Sequence, residues 1–178
     1  EANTTIEELK KYRNQADNSA LADQYIAEAQ TLRAWYLLHL TRLWGEVFVT
    51  EVGDPSTLFD ANLSTKQEVL QYISDQMGEA ASLMADQRPN QRADIPGGVT
   101  KYTALALQAK ADMELEDYQG VADATSQIIN SGLFSLEEDF YQLFKLDGKL
   151  NDENLFELQY SDFGKGSGEN RSYLFAFF

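Results

Sequence analysis

Residues 28–50 read EAQTLRAWYLLHLTRLWGEVFVT. Ala29, Leu32, Arg33, Tyr36, Leu37, Leu40, Leu43 and Trp44 recur at the helical period, which predicts one buried face of a long helix. Gly45 is the stop signal, because a helix commonly ends on a residue with positive φ and glycine adopts that at no steric cost. Glu46-Val47-Phe48-Val49-Thr50 follows, and its β-branched and aromatic side chains favour an extended exit. Asp17-Asn18-Ser19 upstream supplies the break and N-cap, so the helix is expected over residues 20–44.

Working outward, Thr5 and Glu8 have capping-box spacing and predict a short helix opening at Thr5, with Ile6, Leu9 and Tyr12 on its apolar edge. Downstream, residues 45–63 are a long connection punctuated by Gly45, Gly53 and Pro55. Ser64-Thr65 followed by Gln67-Glu68 is a second capping signal. It predicts a helix over 65–85 with Val69, Tyr72, Ile73, Met77, Ala80, Ala81 and Met84 inside. Two prolines and paired glycines between 88 and 98 mark a loop. A third long helix is expected over 100–116, with Ala104, Leu107, Gln108, Ala111 and Leu115 inward; its small residues permit close approach of another helix. A fourth carries Tyr118, Val121, Ala122, Thr125, Ile128 and Ile129, and closes at Asn130-Ser131-Gly132.

The pair of helices from Tyr102 to Ser131 is about one tetratricopeptide repeat long, roughly 34 residues. Its turn, EDYQGVA at 116–122, resembles the GDYxxA corner of that repeat, with Glu116 where glycine is frequent and Val121 where a small alanine is usual. The helices at 20–44 and 65–85 form a second such pair around a long insertion. The expected fold is therefore mainly α: tetratricopeptide-like hairpins in a right-handed stack. After Gly132 the texture changes. Leu133–Leu136 is a short extended piece, 139–144 one or two helical turns, 151–154 a polar turn, and Leu155-Phe156-Glu157-Leu158-Gln159-Tyr160 alternates like a strand with Phe156, Leu158 and Tyr160 on one side.

Two of these stretches carry a family resemblance. The segment at 28–50 is similar to the signature helix of SusD/RagB proteins, EAK-LRA-hydrophobic-R-LFGDVPLV, with Gln30 in place of Lys and Phe48 in place of Pro. Asn154–Ser161, NLFELQYS, resembles that family's NxExIFEIQYS strand. The resemblance covers about residues 28–161. It implies a single domain over 1–178 that is part of a longer chain, with helical repeats at 19–131 and the start of a loop-rich ligand-binding region at 132–178. It also implies a non-catalytic, lipid-anchored protein of the outer-membrane surface. Such a protein captures glycans or other nutrients for a SusC-like TonB-dependent transporter.

Composition narrows the chemistry. Among 178 residues, 29 are Asp or Glu and 14 Lys or Arg, a net charge of −15. That balance excludes a phosphate-neutralising nucleic-acid surface and disfavours docking on anionic lipid by charge. It suits neutral ligands, or a cationic partner. With no cysteine, disulfides, thiolate catalysis and thiolate metal sites are out. No run of 18 apolar residues offers a membrane span. The first residue is Glu1 and the chain ends on the apolar run Ser172–Phe178, from which further chain is expected.

His39 is the sole histidine, so neither a zinc set nor a Ser-His-Asp triad can be completed, and it reads as a structural or surface residue. A hydrolase would need two facing carboxylates; Glu51, Asp54, Asp60, Glu137, Glu138, Asp139, Asp147, Asp152 and Glu153 are the candidates. Residues 147–152, DGKLND, have the flavour of a calcium loop but fail the EF-hand spacing and read as a solvated turn. No cofactor and no metal is expected. Trp35 and Trp44 read as core. The candidate ligand set is Asp162, Phe163, Asn170, Arg171 and Tyr173, around the flexible loop GKGSGEN. There an aromatic ring offers a sugar's C–H face a platform, and the polar groups meet its hydroxyls. The alternatives are a peptide-binding tetratricopeptide-like adaptor, disfavoured because the inner helix faces read as Ala, Leu and Tyr, and a carbohydrate-active hydrolase.

Overall fold

In the computed structural model of the chain, residues 1–50, 56 and 61–159 are described. They form five helices: α1 (Ala2–Arg13), α2 (Ser19–Trp44), α3 (Lys66–Leu83), α4 (Lys101–Glu114) and α5 (Tyr118–Asn130). α1 packs on α2, α3 lies between α2 and α4, and α5 rests on α4; α2 and α4 also touch each other directly. This is the alternation of a tetratricopeptide-like stack, in which every second helix shares a face.

The caps explain most boundaries. The Asn18 side chain accepts from the Leu21 N–H at 3.2 Å and starts α2. Gly45, with φ 77°, ends it. Thr65 and Glu68 form the reciprocal box that starts α3: the Glu68 N–H donates to Thr65 Oγ1 at 3.3 Å and the Thr65 N–H to Glu68 Oε2 at 2.8 Å. Asp117 Oδ1 accepts from the Gly120 N–H at 3.0 Å and caps α5. The expected start at Thr5 is corrected: α1 begins at Ala2 with no side-chain cap, the Thr5 N–H already donates to the Glu1 carbonyl within the helix, and Glu8 pairs with Lys11. Of the expected apolar edge, Ile6 is buried and Tyr12 exposed.

The core runs between α2, α3 and α4 and is filled by Ala27, Ala34, Leu38, Val69, Ile73, Met77, Ala104 and Leu105 among others. The α3 stripe falls as expected, with Tyr72 half-buried. α4 is buried on most sides, which its alanines permit. α5 seals the stack through Ala124, while Tyr118 and Ile129 stay exposed.

α2 departs most from expectation. Arg33 and Leu37 are buried, but Leu32, Tyr36, Leu40, Leu43 and Trp44 are exposed, Trp44 at 67%. The core side is instead Ile26, Ala27, Thr31, Ala34, Leu38 and Thr41. Both sides of this helix are apolar, so periodicity alone selects a face without saying which one meets α3.

The polar members of the stretch are anchors. Arg33 donates to Asn3 of α1 at 2.9 Å and to Tyr72 and Gln76 of α3 at 2.5 and 2.6 Å. Glu28 pairs at 2.8 Å with Arg92, whose side chain is almost wholly buried in the loop between α3 and α4. At the other end, Glu114 of α4 pairs with Arg42 of α2 and, at 2.8 Å, with Lys66 of α3.

Val47 and Ser64 form an isolated antiparallel bridge that closes the neck of the long insertion. Near the C-terminal end, the helical turns expected at 139–144 appear as a 3-10 turn, Phe140–Phe144. The strand expected at 155–160 is corrected for its described part: residues 155–159 form no ladder with another described segment. Leu155 and Phe156 are half-buried and Leu158 is exposed, so the alternation does not place Phe156 and Leu158 together. That segment lies on helices, not beside a strand, and its backbone anchor is a side chain: Thr103 Oγ1 of α4 donates to the Leu155 carbonyl at 2.8 Å.

Candidate functional site

The shared face of α2 and α4 carries a cleft of about 360 Å³. Trp35 forms one wall, Thr103 and Lys110 of α4 the floor, and Glu153, Asn154 and Phe156 the opposite wall. The Trp35 and Phe156 rings meet edge to face with centroids 6.5 Å apart. Tyr36 stands edge-on to Trp35 at 4.9 Å and His39 lies against it at 4.3 Å. His39 Nδ1 is 2.7 Å from the Trp35 carbonyl, one turn back on the same helix. Aromatic walls with an ammonium, an amide and a carboxylate at the rim suit a neutral polar ligand with an apolar face.

The outer wall is pinned by a network that the sequence pattern did not reveal. Arg88 donates to the Leu133 carbonyl at 2.9 Å and pairs with Asp152 at 2.6 Å. Asn90 Nδ2 donates to the Leu150 carbonyl at 3.0 Å. The Glu153 carboxylate accepts from the Glu137 N–H, and the Glu157 carboxylate from the Leu150 N–H, both at 2.8 Å. Phe134 packs edge to face on Tyr102 at 5.0 Å. Arginines within a Pro/Gly-punctuated loop, RPNQRADIPGG at 88–98, are the only sequence sign of this.

The candidate carboxylates divide the same way. Asp152 and Glu153 are tied up in that wall. Asp139 caps the 3-10 turn by accepting from the Tyr141 N–H at 3.0 Å. Asp147 sits in an exposed 3-10 turn, Leu146–Gly148, the solvated turn expected there. Glu51, Asp54 and Asp60 lie outside the described residues, as do all five candidate ligand residues, Asp162, Phe163, Asn170, Arg171 and Tyr173. Among the described residues no group of three or more His, Asp or Glu is placed to hold a metal ion, and no helix is long and apolar enough to cross a membrane.

One carboxylate is out of place chemically. Asp112 of α4 is buried, and its Oδ2 has no hydrogen-bond partner. Burial pushes its carboxyl above the ordinary range; a hydrogen bond from Ser74 opposes this, and the negative charges of Asp117 and Asp75 add to it. By contrast, the Arg92 guanidinium holds Asp94 down at about 2. Asp112 lies under the α4–α5 corner, away from the cleft residues.

Comparison with known proteins places the fold. The sequence model of a family described as SusD-like, starch-binding and associating with the outer membrane matches residues 1–113. A SusD-like protein of Bacteroides ovatus is 26% identical over 179 residues, spanning 92% of this chain and 31% of its own length. The crystal structure of a SusD-like carbohydrate-binding protein from Bacteroides fragilis superposes with a TM-score of 0.79 at 23% identity, over 90% of this chain and 31% of that one. Surface glycan-binding protein A from Bacteroides thetaiotaomicron, in complex with laminarihexaose, gives 0.72 at 21% identity, over 88% of this chain and 33% of that one. The chain thus spans about a third of the length of these relatives.

Proposed function

The chain belongs to the SusD-like family, and from that premise we propose that it is the helical-repeat portion of a non-catalytic protein that captures glycans at the outer-membrane surface. The observation that carries this is the family match over residues 1–113, supported by a fold shared with a glycan-binding protein seen with laminarihexaose. In this reading the α1–α5 stack is scaffold. The segment leaving it at Gln159 leads into the ligand loop, where Phe163 and Tyr173 give sugar rings an apolar platform and Asp162, Asn170 and Arg171 bond hydroxyls. The captured glycan passes to a SusC-like TonB-dependent transporter, and the protein is held at the membrane by a lipid anchor.

The adaptor alternative loses ground on one observation. The α2–α4 face, where a peptide would lie, already carries residues 154–156 of the chain itself. The test is calorimetric titration of the longer polypeptide against a panel of α-glucan, β-glucan and xyloglucan oligosaccharides, with product analysis in parallel. Binding of at least one oligosaccharide without chain cleavage is expected, with Phe163→Ala or Tyr173→Ala weakening it by about tenfold, or ~1.4 kcal/mol. Failure to bind any glycan refutes the capture role, and release of shorter sugars would move the protein to the hydrolases. Co-purification of the longer polypeptide with a SusC-like outer-membrane transporter tests the delivery step.

A further inference from the structure

The ligand loop beyond Gln159 leaves the cleft between α2, α4 and residues 153–156 without a role. Its volume of about 360 Å³ lies at the small end of the range for ligand pockets, roughly 300–1,000 Å³, which suits a short ligand and not an extended chain. Its outer wall is held from behind. The Leu155 carbonyl accepts from Thr103 of α4 at 2.8 Å. One Glu153 oxygen accepts from the Glu137 N–H at 2.8 Å, and the Asn154 amide nitrogen donates to Glu157 at 2.9 Å. A wall fixed before binding costs a ligand little ordering.

These bonds also leave groups over. The second Glu153 oxygen and the Asn154 carbonyl oxygen remain as acceptors. Lys110, an ammonium with three donors, has no hydrogen-bond or ion-pair partner among the described residues. The rim therefore offers donors and acceptors together, with one charge of each sign, beside the Trp35 and Phe156 rings. Sugar hydroxyls donate and accept at once, and a sugar's C–H face packs on an aromatic ring. A wholly apolar ligand would strip water from the ammonium and carboxylate without replacing it, and an anion would meet Glu153.

We propose that this cleft is a second saccharide site, built on the helical stack and distinct from the loop at 162–173, and that it takes a neutral mono- or disaccharide unit against its aromatic walls. The class of ligand rests on the glycan-capture reading; the site rests on the cleft's own geometry.

The experiment uses the longer polypeptide carrying 5-fluorotryptophan. The Trp35 fluorine resonance is assigned through Trp35→Phe, and that of Trp44, exposed at the end of α2, serves as control. Glucose, maltose, cellobiose, laminaribiose and the dipeptide Leu-Leu are titrated in turn, with and without Phe163→Ala/Tyr173→Ala. A saturable shift at Trp35 and not at Trp44 is expected with at least one sugar, retained when the loop is altered. Lys110→Ala should weaken it about tenfold, and Ala106→Phe, which fills the cleft from α4, should abolish it. A Trp35 resonance that stays still while calorimetry shows oligosaccharide binding overturns the second site and leaves the capture role standing. A shift lost with Phe163→Ala/Tyr173→Ala assigns the effect to the loop and overturns it too. A shift with the dipeptide and no sugar overturns it in favour of a peptide ligand.

Discussion

Replacing Arg92 with alanine should be among the most damaging single changes to the fold. The Arg92 side chain is 1% exposed. It pairs with Glu28 at 2.8 Å, grips Asp94 through two bonds of 3.1 and 2.5 Å and donates to the Val99 carbonyl at 2.8 Å. Its removal leaves the largely buried Glu28 carboxylate with Gln24 as a neutral donor, and leaves the Val99 carbonyl without this donor. Breaking a buried pair from one side costs about 3–5 kcal/mol, most of it the penalty for the stranded charge. For a domain of this size that lowers Tm by roughly 6–20 °C. Urea unfolding followed by circular dichroism measures it, with Glu28→Gln beside it and the Glu28→Gln/Arg92→Ala double variant closing the cycle. The double variant should recover part of the loss, because no charge is then stranded. There is also a pH signature. Asp94 has its folded pKa depressed to about 2, so its stabilisation is present above the ordinary carboxylate pKa and is lost as pH falls toward 2. The gap between the native chain and Arg92→Ala should therefore narrow in acid. A cost below about 1 kcal/mol, unchanged with pH, would refute the assignment of Arg92 as the anchor of α2 to the α3–α4 loop.

Three further changes test the α4–α5 corner. Gly120→Ala would ordinarily favour a helix, but a Cβ there would sit 2.7 Å from both Asp112 Oδ2 and Asp117 Oδ2; destabilisation of about 1–3 kcal/mol is expected, and a stabilised variant in the same urea assay would contradict the packing. Glu116 has φ 61°, so Glu116→Gly should leave stability unchanged or raise it by up to ~1 kcal/mol, against the usual sign for introducing glycine. Asp112 has its folded pKa raised, chiefly by burial. Its contribution is thus most favourable below the unfolded value, near ~4, and declines as pH rises through the folded pKa. Asp112→Asn should gain on the native chain between pH 4 and 7.5, and a constant difference over that range would show that the fold does not raise the carboxyl's pKa above its unfolded value.

Much of the fold was legible because caps and stripes are local. Asn18, Gly45 and the Thr65–Glu68 box needed only a few neighbouring residues to be read, and α3 has one apolar side, so its inner residues followed. α2 defeated the same method by having two apolar sides. The start of α1 was misread because nothing at Ala2 or Asn3 prevents the helix from extending past Thr5. Arg88 and Arg92 were invisible as anchors: their partners lie 45 and 64 positions away, and an arginine in a loop carries no signal of its own burial. At 155–159 period-two alternation in the sequence was read as a strand, although the segment rests on helices and its burial does not alternate, Leu155 and Phe156 being both half-buried. Of the candidate site, the resemblance directed attention to residues beyond Ser161, while the described cleft is built on Trp35, which was read as core, and Lys110, which no motif singled out.

The bridge between Val47 and Ser64 has its own implication. Its two bonds, Val47 N–H to the Ser64 carbonyl at 3.1 Å and Ser64 N–H to the Val47 carbonyl at 2.9 Å, tie off residues 48–63 at their base. α2 and α3 thus keep their relative placement whatever lies inside the loop. Doubling a loop's length costs only about 0.6 kcal/mol in closure entropy. The neck therefore separates two rates of change: the helices on either side, with Val49 packed on the core and Thr50 bonded to Asn3, are bound to their packing, while the stretch after Thr50 can lengthen, shorten or be recomposed almost independently. New surface chemistry could be gained there without disturbing the stack.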